Sequence, residues 1–554
     1  MKLSGAEIII HLLERQGIDT IAGIPGGSNL PLYNALYKSK QIKHILVRQE
    51  QAGGFIAQGM TRSTGKVAVC FATSGPGATN LITAIADARL DSIPIVAITG
   101  QVPHSMIGTD AFQEVDTYGM SLPITKHNFL VRSPEELLTV IPEAFRIAAS
   151  GRPGPVLIDV PKDVQAKQIE VDSWPEPGKK EAFPSFDKEA LKKAAEMIEA
   201  AERPVLYAGG GIMHADCADA LIRMAEKGSI PTTLTLMGLG LMPTDHPLYL
   251  GMLGMHGARF TNRILGEADL LIALGVRFDD RATGKLAEFC PNAKVIHIDI
   301  DKSEIGKLRK PQIGITGDVS EVLPALCDLI SERKRENWTS HVTEEKNQFP
   351  LSSQSCEDGM HPLDIIREIA SAARPDAVIA TDVGQHQMWV AQGYPFKMPR
   401  TLLSSGGLGT MGFGLPAALG AAFADSSKQV ICFTGDGSLL MNIQELATLA
   451  EHNLNVKVML FNNGHLGLVR QQQELFYNKN YIASRFAANP DFITIAKGFG
   501  VPSFSVSSVD ELLLTLPQVM SQNGPALVNI AVEHHHNVLP MVPPGAANLE
   551  MIGG

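Results

Sequence analysis

"FTGDGSLL", residues 433–440, and "FNNGHLG", residues 461–467, decide how this chain is read. Each is an apolar run ending in a polar turn with glycine, the pattern of a strand reaching its carboxyl end. Between them Leu439, Leu440, Ile443, Leu446, Ala447 and Ala450 recur at helical spacing, so the segment reads strand, turn, helix, strand. A right-handed crossover returns the chain to a parallel strand of the same sheet, and both carboxyl ends then open on one edge. Asp436 and Asn463 can therefore converge. A carboxylate, an amide oxygen and a turn carbonyl make a hard, oxygen-only set suited to Mg²⁺, which keeps its other positions for water and phosphate oxygens. Gly435 and Gly437 permit a tight turn, and the helix start that follows favours anions. A lone GDG is only a turn; GDG and NN at two strand ends point to a diphosphate held through its metal.

The same alternation extends in both directions. Residues 1–165 carry strands such as "VAVCFA" and "IPIVAITG" between helical segments; 188–333 carry "PVLYAGGG", "LLIALGVRF" and "KVIHIDID"; 362–540 carry "AVIATDVG", "QVICFTGDG", "VKVMLFNN" and "ALVNIAV". Stretches 166–187 and 334–361 are polar and aperiodic and read as linkers, and 541–554 is a Pro/Gly-rich tail. The pattern predicts an α/β protein of three domains, each with a mainly parallel sheet flanked by helices.

Composition agrees. A chain of 554 residues is too long for one core, and 51 glycines with 19% charged residues suit a loop-rich globular enzyme. The net charge of -11 includes no basic block, which excludes nucleic acid as a partner. Cys70, Cys217, Cys290, Cys327, Cys356 and Cys432 form no metal-binding spacing and are expected to be buried thiols. The start "MKLSGAEIIIHLLERQG" reads as an amphipathic helix, with neither a signal core nor a transit-peptide composition. No apolar run reaches the roughly 18 residues of a membrane span. A cytoplasmic protein with no membrane partner is expected. "EHHHNV", with His534 to His536, reads as a solvated turn, since adjacent histidines in a strand face opposite ways. "GGSNL" near the N-terminus and the segment with Met213 and His214 read as structure. One rival remains open: "GLGTMG", 407–412, fits a dinucleotide fingerprint and would make an NAD-dependent oxidoreductase. That reading gives no task to Asn462, Asn463 or to Glu50, which stands just past an apolar strand in "ILVRQEQAGG".

GDG followed by NN resembles the thiamine diphosphate motif. Together with "GIPGGSNLPLYNAL", "TSGPGATNLITAIADARLDSIPIVAITGQV", "IGTDAFQEVD", "SGRPGPVLIDVPKDVQ", "GMLGMHG", "RFDDR", "TDVGQHQMW", "SSGGLGTMGFGLPAA" and "PMVPPGAAN", it makes the chain similar, almost end to end, to the large catalytic subunits of the acetohydroxyacid (acetolactate) synthase family, biosynthetic type. The resemblance implies a thiamine diphosphate-binding fold with thiamine diphosphate, Mg²⁺ and FAD as cofactors. Pyruvate would be decarboxylated and its two-carbon unit passed to a second pyruvate or to 2-oxobutyrate, in branched-chain amino-acid biosynthesis. It also implies a homodimer or higher homo-oligomer, with a small regulatory subunit as a further partner.

Residue by residue, the resemblance gives Glu50 proton exchange with the aminopyrimidine, in a setting where burial would raise a carboxyl pKa. Gln113 and Lys162 fall near the reacting carbon, Arg281 at the second carboxylate and Gln472 in the acceptor pocket. Asp436, Asn463 and the His465 carbonyl bind the metal. The thiamine diphosphate is met by Gly27, Thr73, Pro76, Asn80, Val383, Gly384, Gln385, His386, Gly409, Met411, Gly435, Gly437, Ser438, Gly467 and Leu468. The flavin is met by Arg152, Gly209, Gly210, Gly211, Met255, His256, Gly275, Arg277, Asp299 and Asp318. Two positions depart from the family: Gln49 stands where most members have His, and Gln472 where many have Trp.

Overall fold

The computed structural model describes residues 1–351 and 360–553; Cys356 and part of the stretch 334–361 lie outside them. Among the described residues, three six-stranded sheets are entirely parallel. The first contains β1 (Thr20–Gly23), β2 (Lys43–Leu46), β3 (Ala68–Ala72), β4 (Ile95–Gln101), β5 (His127–Leu130) and β6 (Val156–Pro161), in the order β2-β1-β3-β4-β6-β5. The second contains β7 (Pro204–Ala208), β8 (Thr232–Leu234), β9 (Tyr249–Met252), β10 (Leu270–Leu274), β11 (Lys294–Asp299) and β12 (Ile313–Thr316), ordered β9-β8-β7-β10-β11-β12. The third contains β13 (Val378–Thr381), β14 (Leu402–Leu403), β15 (Val430–Gly435), β16 (Val456–Asn462), β17 (Ser503–Val506) and β18 (Ala526–Ala531), ordered β14-β13-β15-β16-β18-β17. The first and third sheets thus share one topology. The middle one has the 3-2-1-4-5-6 order of dinucleotide-binding folds.

Central strands such as "IVAITGQ", "LLIAL" and "VICFTG" are buried along their whole length, as expected where helices cover both faces of a parallel sheet. Helix Glu50–Thr64 of the first unit crosses helix Gly414–Ala424 of the third with backbone in contact. A Cβ at Gly59 would run into the Ala417 carbonyl oxygen and one at Gly420 into that of Ile56, while Phe55 and Phe413 meet edge to face at 5.3 Å.

Three sequence expectations need correction. The presumed linker 166–187 contains a strand, Gln168–Glu170, paired antiparallel with Lys2–Ser4. The helix expected across 439–450 is two short ones, Asp436–Leu439 and Glu445–Glu451, because the Asn442 amide turns to donate to the Gly412 carbonyl at 2.7 Å. The aperiodic stretch after 333 holds helix Glu336–Gln348, with Trp338 and Val342 buried in the middle core beside Tyr207, Phe278 and Phe289. Two apolar anchors among polar residues leave no period to read. Trp338 also donates from Nε1 to the Pro204 carbonyl at 3.0 Å. Trp338→Ala is therefore expected to cost about 3–5 kcal/mol, the scale for a buried aromatic. Scanning calorimetry should show a lowered transition; an unchanged one would detach this helix from the middle core.

The described cysteines are buried and free, as expected. No helix among the described residues is long and apolar enough to cross a membrane.

Candidate active site

Ligands of open α/β sheets bind outside the carboxyl ends of the strands, where the strand order reverses. Here that point lies between β1 and β3, between β7 and β10, and between β13 and β15. The residues singled out from sequence cluster at all three.

In the third sheet, Val383 to His386 follow β13, Asp436 to Ser438 follow β15, and Asn463 to Gly467 follow β16. Asp436 accepts from the Gly437 N–H at 2.8 Å, the Gly464 N–H at 2.6 Å and the Asn489 amide at 3.3 Å. The Asn463 amide oxygen accepts from the His465 N–H at 3.0 Å, and its nitrogen lies 3.5 Å from Gln385 Oε1. Ser438 donates to the Val383 carbonyl at 2.7 Å. The glycines are close-approach positions: a Cβ at Gly384 or Gly435 would press on the His386 ring, and one at Gly467 on Gln385 and Asn463. The Met411 methyl lies 3.6 Å from where a Cβ at Gly437 would be, and Val383 lies beside Gly409.

The electrostatics of this cluster call for a cation and an anion. Asp436 is 1% exposed, pairs with no Lys or Arg among the described residues, and has its carboxyl pushed up by burial. A buried carboxylate at one strand end, with an amide oxygen and a turn carbonyl on the loop that follows the neighbouring strand, can join a donor set for a divalent ion, which would remove that penalty. Burial lowers His386 to about 3, so its ring is neutral, and its buried Nε2 has no hydrogen-bond partner among the described residues. It faces the glycine turns that would admit a diphosphate.

In the first sheet, Gly27 follows β1 with open space above its Cα, and Thr73 to Pro76 lead from β3 into helix Pro76–Leu90. Thr73 Oγ1 accepts from the Ser28 N–H at 3.3 Å. Glu50 opens its own helix, and its Oε2 accepts from the Asn80 amide at 2.9 Å. Oε1 accepts no hydrogen bond among the described residues and faces Gly77. Gln113 has φ of 60°, a strained value for a residue with a side chain, and presses against Gly75. Lys162 is exposed at the start of helix Lys162–Ala166 and hydrogen-bonds to nothing among the described residues, so only its place at a strand end joins it to this group. Beside Glu50, the Gln49 carbonyl oxygen Oε1 is buried without a donor. Among the described residues, no hydrogen bond or ion pair links the Glu50 cluster to the Asp436 cluster of the same chain.

The middle switch point opens on a cavity of about 860 Å³. Its walls include Arg152, Gly210, Gly211, Met255, His256, Gly275, Arg277, Asp299 and Asp318, together with Arg281, Leu468 and Gln472. Gly209 sits just behind, its N–H bonded to the Leu274 carbonyl. A Cβ at Gly211 would lie 2.6 Å from the Gly275 Cα, so both loops must be backbone only. His256 Nε2 and Thr235 Oγ1 are buried without hydrogen-bond partners among the described residues. Burial pushes Asp299 up to about 7. A cavity of this volume, walled by two backbone-only glycine loops at a dinucleotide switch point, fits a flavin dinucleotide.

Several participants escaped the sequence. Thr235 follows a three-residue strand with no motif. Met213 and His214, read as structure, line the cavity. Ser28 of "GGSNL" braces Thr73, and the carbonyl of His536, in the supposed solvated turn, accepts from Gln385 Nε2 at 2.8 Å. Asn489 reaches Asp436 from a loop. The tail is no free end: Asn548 donates to the Ala282 carbonyl at 2.9 Å, beside Arg281.

Comparison with known proteins accords with this geometry. Residues 3–120, 191–326 and 382–530 match the N-terminal TPP-binding, central and C-terminal TPP-binding domains of thiamine pyrophosphate enzymes. The chain is 56% identical over 553 residues to the acetolactate synthase isozyme 1 large subunit of Escherichia coli K12, covering 100% of this chain and 98% of that one. It is 45% identical over 550 residues to the isozyme 2 large subunit of the same organism, covering 99% of each. With the chloroplastic acetolactate synthase 1 of Zea mays it shares 46% over 570 residues, 99% of this chain and 88% of that one. Three sheets with three ligand-shaped switch points, matched over their whole length, place the chain in the thiamine pyrophosphate enzymes, in the acetolactate synthase large-subunit family.

Proposed function

We propose that this acetolactate synthase builds each active site from the Glu50 cluster of one subunit and the Asp436 cluster of another. The reaction joins two molecules of pyruvate into 2-acetolactate with loss of carbon dioxide, or uses 2-oxobutyrate as acceptor. Thiamine diphosphate, when bound, supplies the carbon that takes up the two-carbon unit and the electron sink for decarboxylation. Asp436, Asn463 and the His465 carbonyl hold the Mg²⁺, and His386, Gly435 and Gly437 receive the diphosphate. Glu50 Oε1 gives and takes the proton at the pyrimidine nitrogen, while Asn80 fixes Oε2. The flavin in the central cavity is structural. Arg281 receives the acceptor carboxylate, which its planar fork suits. Lys162 and Gln113 border the substrate's approach.

The observation that carries this reading is the shared topology of the outer sheets, each presenting half a site at the same switch point. A two-subunit site is supported by the exposure of Asn80, which holds Glu50, and of Phe112, which is 88% exposed next to Gln113. The names of the Escherichia coli relatives, as large subunits, support a smaller regulatory partner. Domain limits of 1–165, 188–333, 362–540 and 541–554 belong to this reading, with helix Glu336–Gln348 joined to the central unit.

Gln472 gives the reading a quantitative test. It lies one helical turn after Leu468, and both line the same cavity as Arg281. An amide there offers the extra methylene of 2-oxobutyrate little apolar contact, so acetolactate should form readily when both acceptors compete. Gln472→Trp is expected to move the product ratio toward acetohydroxybutyrate by about tenfold or more, from the 1–3 kcal/mol of one methylene in an apolar pocket. The products are measured at equal acceptor concentrations with all three cofactors present. A parent already selective for 2-oxobutyrate, or an unmoved ratio, would place acceptor choice elsewhere.

A further inference from the structure

The loop that carries Gly409 and Met411 is held from outside its own domain. Two carboxylates on helix Pro76–Leu90 and its C-terminal cap, Asp87 and Asp91, are 0% and 6% exposed. Asp91 accepts from the N–H groups of Gly406 at 3.0 Å and Gly407 at 2.7 Å. Asp87 Oδ1 accepts from the Ser405 hydroxyl and from the Thr410 hydroxyl at 2.9 Å, while Ser405 Oγ accepts from the Thr410 N–H at 2.9 Å. One cation serves both acids: Arg62 Nη2 lies 2.8 Å from Asp91 and 3.5 Å from Asp87. Burial and the neighbouring Asp91 push the Asp87 carboxyl up, and the loop's own donors complete the hydrogen bonding that Arg62 begins.

Burying such a cluster is expensive, and an apolar contact would join the two domains at less cost. What the carboxylates add is direction, because each loop donor has one acceptor at one place. The loop borders two spaces: Ser405 to Gly409 line the central cavity, while Met411 reaches the Gly437 turn.

We infer that Asp87 is a positioning residue for the reaction, acting through the Ser405 and Thr410 hydroxyls to fix the loop that presents Gly409 and Met411 to the thiamine diphosphate. The inference rests on the reading that this loop faces the cofactor. Asp87 touches neither substrate nor cofactor; it sets the height and tilt of the residues that do. Its loss therefore acts on proton exchange at the cofactor's reactive carbon more than on pyruvate binding.

The test compares Ser405→Ala, Thr410→Val, their double, Asp87→Asn and Met411→Ala in the full-length enzyme. The readouts are hydrogen–deuterium exchange at C2 of bound thiamine diphosphate, calorimetric affinity for thiamine diphosphate with Mg²⁺, flavin content, Tm, and kcat against KM for pyruvate. Each hydroxyl variant is expected to slow C2 exchange by about three- to tenfold, the scale of one lost hydrogen bond. The double and Asp87→Asn should each slow it by about tenfold or more, and Asp87→Asn added to the double should do little further, since one path is cut twice. KM should stay within about twofold and flavin content at parent level. C2 exchange at the parent rate in both hydroxyl variants, or variants that lose only Tm, would overturn the inference, and the hydroxyl variants decide the matter if Asp87→Asn does not fold. Met411→Ala separates the two layers: slow exchange there with parent exchange in the others defeats only the Asp87 role, while parent exchange in Met411→Ala defeats the reading of the loop itself.

Discussion

Asp436→Ala should leave a folded protein with less than about one hundredth of parent turnover, a larger loss than the 10–100-fold typical of residues that merely support a metal ligand. The carboxylate is the one charged side chain in the donor set, and the amide and carbonyl oxygens left behind cannot hold a strongly hydrated dication by themselves. Stability should respond differently from activity. The side chain's removal leaves the Gly437 and Gly464 N–H groups without their acceptor, yet also removes a buried carboxylate that pairs with no Lys or Arg among the described residues. Without Mg²⁺, Tm is therefore expected to change little. With Mg²⁺ and thiamine diphosphate, the parent should gain several degrees by ligand linkage and the variant none. Differential scanning fluorimetry with and without the two ligands reads this directly; a variant that keeps the ligand-dependent rise would remove Asp436 from the metal site.

Glu50→Gln is expected to slow C2 exchange on the bound cofactor by about 100- to 10,000-fold, the range for losing a positioned acid–base group. An amide can accept the Asn80 hydrogen bond as well as a carboxylate does, so the local fold should survive. It cannot exchange a proton at Oε1. Because Glu50 and Asp436 would act in different subunits of one site, the two inactive variants also test the assembly. A mixed dimer of Glu50→Gln and Asp436→Ala chains holds one site with both lesions and one with neither. Mixing followed by verified subunit exchange should restore up to about half of parent activity per mixed dimer, as complementation of this kind allows. No recovery would mean that each site is built within one chain.

The parts of this molecule that could be read from sequence are those where one physical demand shapes a contiguous run. Strands buried on both faces must be apolar throughout, and "VICFTG" and "LLIAL" announce themselves. Asp436 and Asn463 could be placed together because a crossover fixes which edge strand ends share. What stayed hidden depends on contacts between distant segments. Helix Glu336–Gln348 buries only a few side chains and so carries no period. Asn489 and the His536 carbonyl lie on loops, where position follows from the whole fold. Asp87 and Asp91 looked like two polar residues on a helix, with nothing local to reveal that their partners lie more than three hundred residues on.

The glycine crossing between helices Glu50–Thr64 and Gly414–Ala424 also bears on how the chain is made. Phe55, Ile56, Ala57 and Met60 are buried in the finished protein, sharing a core with Phe413, Leu415, Ala417 and Ala418. During translation that partner emerges only about 350 residues later, which at 5–20 residues per second is on the order of 20–70 s. For that interval the nascent first domain carries an uncovered apolar helix face, a natural target for ribosome-associated chaperones and the place where a stalled or truncated chain would begin to aggregate.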